Sequence, residues 1–156
     1  MIAVLAAAVI TAKPVYLFDM LPHSAAAVDQ RTVKALPGGL QQFDLVAIFA
    51  EGTPFRGQVM HVSATPYTID CARSRFSHGA TTFKALDGRV LVVDTPDGQA
   101  DRWAAIPVRS VLNQIKAWVC DGTPPSDPRA GPMEDLRQAE WAYFTALGRP
   151  EVMRGQ

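Results

Sequence analysis

The run Asp70-Cys71-Ala72-Arg73-Ser74-Arg75 sets an acid, a thiol and two guanidinium groups side by side. An acid beside a thiol suggests an activated nucleophile. Adjacent residues of a strand, however, point to opposite faces, and a disulfide would remove the thiol altogether. Arg73 and Arg75 lie two apart, so in a strand they project together and form a basic spot able to hold a carboxylate or phosphate. The alternative for the pair is a solvated edge or an internal ion pair with Asp87 or Asp94. The chain has two cysteines, Cys71 and Cys120, and no Cys-x-x-Cys or Cys-His cluster, so neither a redox motif nor a zinc site is indicated. In an exported chain the economical arrangement is a Cys71–Cys120 disulfide; in a cytosolic one it is two buried thiols. The bridge would close a loop of about 50 residues, for which chain entropy gives on the order of 4 kcal/mol.

His23, His61 and His78 are scattered, none with a second histidine at ligand spacing. His61 reads as a strand residue on a solvated face and His78 as a turn residue beside Gly79. Nucleophile-elbow, phosphate-loop and zinc-protease motifs are absent, so no catalytic residue, metal or cofactor is expected. An enzyme would need a dispersed site drawn from Asp70, Arg73, Arg75 and His78. Trp103 and Trp118 fall in a strand and a helix, where core packing accounts for them. Trp141 points away from the apolar arc of its helix and is a candidate contact residue.

The elements that must position these groups are mostly strands. Val15 to Met20 is a short aromatic strand, followed by an Ala-rich loop that ends in Leu36-Pro37-Gly38-Gly39. Phe43 to Ala50 reads as a strand closed by a Glu51-Gly52-Thr53-Pro54 turn, and Gln58 to Ser63 and Tyr67 to Phe76 as two more. In the last of these Tyr67, Ile69 and Cys71 share a face, which turns Cys71 towards the core. The phase then breaks, as a bulge or strand end would require. Thr81 to Leu86 and Arg89 to Asp94 flank Asp87-Gly88, the chemistry of a type I′ hairpin. Asp97-Gly98 repeats the turn before a strand at Asp101 to Ile106. Short turns between successive strands define an antiparallel meander of about six strands.

Past Pro107 the period becomes helical: Ser110 is a cap, Val108, Leu112, Ile115 and Val119 share an arc, and Gly122 with Pro124-Pro125 stops the run. Cys120 lies on the flank of that arc, within reach of a core-facing strand. Residues 123–131 read as a proline-rich linker. Pro132 to Gly148 reads as a second amphipathic helix, with Pro132 at its first position and Met133, Leu136, Tyr143, Phe144 and Leu147 on one face. Its partner is either the domain's own sheet or another molecule.

Fifteen basic and fifteen acidic residues cancel, which removes the broad attraction that nucleic-acid and membrane-surface binders use. Apolar residues make up 48% and charged ones 19%, the balance of a globular chain. Met1 to Ala12 is an apolar run of signal-peptide length, too short to span a bilayer; the alternative is a buried N-terminal element. The run lacks the basic residues that usually precede a signal core, which counts against an export signal; no cysteine follows it directly, and the expected product is periplasmic or secreted without an integral membrane span or lipid anchor. The expected organisation is a signal segment at 1–12, an α+β domain at 13–122, the linker, and a helical extension at 132–148.

Asp70-Cys71, Arg73-Ser74-Arg75, Asp87-Gly88, Trp103, Pro107 to Ser110 and Val119-Cys120 follow the order of elements of the surface-adhesin protein E family, which the stretch from Tyr67 to Cys120 resembles. Asp29, Thr32 and Val33 ahead of Gly38-Gly39 extend the likeness upstream. The resemblance implies an antiparallel sheet carrying one helix fixed to it by the two cysteines, and a binding role on host or envelope proteins. No catalytic residue transfers from it, and the proline-rich linker and the Pro132 to Gly148 helix fall outside the shared pattern.

Overall fold

The computed structural model describes residues 15–95 and 102–154; the apolar run at 1–12 and the Asp97-Gly98 turn lie outside them. Strands β1 (Val15–Met20), β2 (Ser24–Leu36), β3 (Leu40–Phe55) and β4 (Gln58–Asp70) pair antiparallel in succession. Strands β5 (Arg75–His78) and β6 (Thr81–Lys84) both line the far side of β4, and β7 (Val90–Asp94) pairs with β6. Two short additions complete a nine-stranded sheet: β8 (Ala104–Ala105) on β5 and β9 (Gly131–Met133) on β1. Helices α1 (Val111–Asp121) and α2 (Leu136–Ala146) and a terminal 3-10 turn, Pro150–Met153, make up the rest.

The two-residue period of the strands sorts the core into two clusters, one on each face. Tyr16, Phe18, Val28, Phe43, Tyr67 and Ile69 meet Leu112 and Ile115 of α1. The alternate positions, among them Leu17, Ala27, Ile48 and Val62, meet Ala139, Tyr143 and Phe144 of α2. A sheet covered on both sides by single helices leaves few apolar positions for solvent, which is how the chain accommodates its apolar content.

Several expectations are corrected. The Ala-rich segment is not a loop but strand β2. Alanine is a poor strand former by itself, yet Ala25 and Ala27 are buried opposite α2, where Tyr143 and Phe144 leave room only for small side chains. Glu51 to Pro54 is no turn: β3 continues through it with a shift of register between Ile48 and Thr53. Pro54 is tolerated because β2 pairing has ended at Phe49, so that strand edge needs no N–H donor. Gly52 is required at the irregularity, since a Cβ there would collide with the side chains of Val59 and His61. The turn comes later, at Arg56-Gly57, where both residues take positive φ (46° and 75°), the type I′ geometry.

The two strands expected at Gln58 to Ser63 and Tyr67 to Phe76 are one strand, β4, which ends at Asp70. Pro66 does not break it because its N and C=O side faces the gap between β5 and β6, where no strand needs the missing donor and its carbonyl accepts from the Gly79 N–H (2.8 Å). The Asp87-Gly88 hairpin exists, but only Gly88 of the pair has positive φ (84°). The Gly88 N–H bonds Ala85 O and the Ala85 N–H bonds Arg89 O, so the loop is a three-residue connection rather than type I′. The strand expected at Asp101 to Ile106 narrows to Ala104–Ala105. Val108 precedes α1 and is 83% exposed, outside the apolar arc.

Helix α1 starts and stops as its sequence requires: Ser110 Oγ accepts from the Asn113 N–H, and Gly122 at φ 71° closes the end. Helix α2 begins at Leu136 rather than Pro132. The Asp135 carboxylate caps it, accepting from the Gln138 N–H, and Gly131–Met133 is recruited as an edge strand instead. Tyr143 anchors α2 to the sheet by donating its hydroxyl to Leu21 O at 3.0 Å. None of the described helices is long and apolar enough to cross a membrane.

Candidate functional site

The buried Asp70 carboxylate organises one end of the sheet. It terminates β4, and the tight turn Cys71–Ser74 returns the chain into β5, with Ser74 at positive φ (49°). Asp70 accepts from the Arg73 N–H (3.1 Å), the Arg73 guanidinium (3.1 Å) and Arg75 Nε (3.0 Å). Burial pushes this carboxyl up, but the Arg73 side chain and backbone and the Arg75 side chain outweigh it and hold it below the usual carboxylate range. Asp70 is thus an ionised, saturated acceptor and a poor base. The ion pairs expected with Asp87 or Asp94 do not form, because the turn itself supplies the acid. Nor do the arginines converge by strand alternation, since Arg73 lies in the turn.

Both guanidinium groups keep a solvent side, Arg73 more than Arg75. Arg75 lies over the Trp103 ring at 4.7 Å from its centroid, a cation–π pair, and Trp103 is partly exposed rather than core. From α1, Lys116 Nζ reaches Ser74 Oγ at 2.7 Å. The Cys71–Cys120 disulfide, with Cα atoms 5.9 Å apart, ties the same turn to α1. Three cations and an indole are therefore displayed around one buried carboxylate, on a turn immobilised by a covalent bridge. The charge of such a surface is complementary to an acidic group.

His78 does not join this cluster. It ends β5 rather than occupying a turn, and its ring lies tilted against Tyr67 at 5.5 Å while Nδ1 lies 3.2 Å from Gly79 O. His61 is likewise not on a solvated face: its ring meets Phe144 edge-on and Nδ1 lies 3.3 Å from Phe49 O. Trp118 packs against both Tyr16 and Phe18, at the core as expected. Trp141 is 43% exposed on α2, at the far helix from the arginines. Among the described residues no group of His, Cys, Asp and Glu side chains is arranged to hold a metal ion.

One residue escaped the sequence reading. Glu140 is 3% exposed on α2, and its carboxyl makes no hydrogen bond among the described residues. Its signal was available: 136, 140, 143, 144 and 147 form one helical arc, and Glu140 is the polar member of it.

The architecture is a single antiparallel sheet with a helix fixed across one face by a disulfide. No family model matches the chain, and no curated protein matches it. Among solved structures, the chain shares the fold of Haemophilus influenzae protein E. The selenomethionine form superposes with a TM-score of 0.52 at 13% identity, over 67% of this chain and 85% of that one. A second crystal form gives 0.51 at 12% identity, over 68% and 87%. Protein E from a non-typeable strain gives 0.51 at 12%, over 67% and 75%. The likeness is one of fold.

Proposed function

We propose that this chain is an exported, non-enzymatic binding domain, adhesin-like in action, that contacts a host or envelope protein through the Arg73, Arg75, Trp103 and Lys116 surface. The observation that carries the reading is the Asp70 brace. A buried carboxylate braces two arginines on a disulfide-tied turn, with Arg75 against an exposed indole, so the residue types that dominate protein interfaces are presented with little ordering cost on binding. The protein E-like fold and the surface-adhesin resemblance of the sequence support the same role. Export is supported by the disulfide, which belongs to oxidising compartments, and by the apolar run at Met1 to Ala12. Trp141 offers a second, separate contact on the opposite helix.

The test has two parts. Protein recovered from envelope and medium fractions is weighed by mass spectrometry before and after reduction and alkylation. Loss of the first dozen or so residues, with thiols unreactive until reduced, is the expected result; an intact Met1 with freely alkylated cysteines in the cytosol refutes export. Binding to immobilised matrix and plasma proteins is then compared for the natural chain, Arg73→Gln/Arg75→Gln and Trp141→Ala. Salt-sensitive binding weakened at least tenfold in the arginine variant is expected, and binding indifferent to both changes overturns the surface assignment.

A further inference from the structure

Between the β6–β7 hairpin loop and the first turns of α2 lies a cleft of about 390 Å³, lined by Leu86, Asp87, Gly88, Leu136, Arg137 and Glu140. Glu140 lines it: the residue is 3% exposed, its carboxyl makes no hydrogen bond among the described residues, and its oxygens keep their solvent contact rather than being sealed. Holding a carboxyl there without a hydrogen-bond donor is costly, and the nearest cation offsets that cost only in part. Arg137 is committed to Leu86 O through Nη1 at 3.2 Å. Asp87, on the hairpin side, is itself an acid, held by the backbone and side chain of Arg89. Asp135, in the turn below, is a further acid and serves as the helix cap.

From this arrangement we infer that the cleft is a receptor for an alkylammonium group, whose N–H donors and charge meet Glu140 while its methylene stem lies against Leu86 and Leu136. The acids lining the cleft outnumber the cation, and that cation already has its acceptor, so a positive ligand is complementary and a carboxylate is not. Gly88 adds no side chain to the cleft wall. This site stands apart from the arginine surface and does not rest on the adhesin-like reading. The chemistry has two sources, a lysine side chain of a protein and a free polyamine.

Because burial first, with the nearby acid Asp135 adding and Arg137 opposing, raises Glu140 to about 7, ligand binding displaces a proton. Affinity should therefore rise with pH, by roughly 30-fold between pH 5.5 and 8, while the amine itself stays protonated. The experiment is an NMR titration of the full chain with n-butylamine, Nα-acetyl-lysine methylamide and putrescine at both pH values. Saturable shifts at Leu86, Leu136 and Arg137 in the millimolar range at pH 8, lost at pH 5.5 and weakened at least tenfold in Glu140→Gln, are expected. Tighter binding of the capped lysine names a protein side chain as the source, and tighter binding of putrescine names a polyamine; either supports the site. Absence of saturable shifts at pH 8, or shifts in the natural chain that do not depend on pH, overturns it without recourse to the variant.

Discussion

Replacing Glu140 by glutamine should stabilise the protein at neutral pH and leave it unchanged in mild acid. The native carboxyl is raised from an ordinary 4.5 to about 7, chiefly by burial. Between those values the folded state holds a proton that the unfolded chain has released, so the folded state binds more protons and stability falls as pH rises. Below 4.5 the carboxyl is protonated in both states and the contribution is complete; above 7 it is lost and the curve levels. A displacement of this size corresponds to about 3 kcal/mol, which water entering the cleft reduces to about 2 kcal/mol. Glutamine keeps the shape and hydrogen-bonding character of the neutral acid without the charge. With the disulfide intact, thermal unfolding followed by circular dichroism should give coincident melts at pH 4.5 and a variant higher by about 4 to 8 °C at pH 8. Both chains share the carboxylates held low by arginine, Asp29, Asp70, Asp87 and Asp127, whose losses lie at more acid pH and cancel in the difference. A difference independent of pH, or a natural chain more stable at pH 8, would refute the account of Glu140 as a buried, unpaired acid.

Two further outcomes follow from the packing. Removing the bridge as Cys71→Ser/Cys120→Ser, which opens a loop with a sequence separation of 49, should cost about 4 kcal/mol in guanidinium unfolding, and a midpoint that does not move would mean α1 holds without it. Tyr143→Phe should cost about 1 to 2 kcal/mol by leaving Leu21 O without its donor, and a neutral result would show that this carbonyl is solvated after all.

Much of the fold was legible from local chemistry. The strand β1, the core-facing pair Tyr67 and Ile69, the Ser110 cap and the Gly122 stop are decided within a few residues of themselves, and so survive transfer into the folded chain. The Asp87-Gly88 hairpin was visible for the same reason, though its loop type was set by Ala85 and Arg89 pairing across it. What could not be read depends on partners far along the chain. Strand β2 is Ala-rich because α2, more than a hundred residues later, needs small side chains beneath it. Gly131–Met133 becomes a strand only because β1 offers an open edge.

The candidate surface divides in the same way. Sequence alone determined that Asp70, Cys71, Arg73 and Arg75 are neighbours, that Tyr67 and Ile69 share a face, and that Trp141 lies outside its helix's apolar arc, because these follow from chain proximity and from fixed periods of 2 and 3.6 residues. Only tertiary structure decided that Asp70, and not Asp87 or Asp94, claims both arginines, that Trp103 and Lys116 complete the surface, and that Glu140 lines a cleft with no hydrogen-bond donor among the described residues. Each of those outcomes rests on distance through space and exclusion of water, and neither quantity is a property of the chain until its sheet has covered one face with α1 and the other with α2.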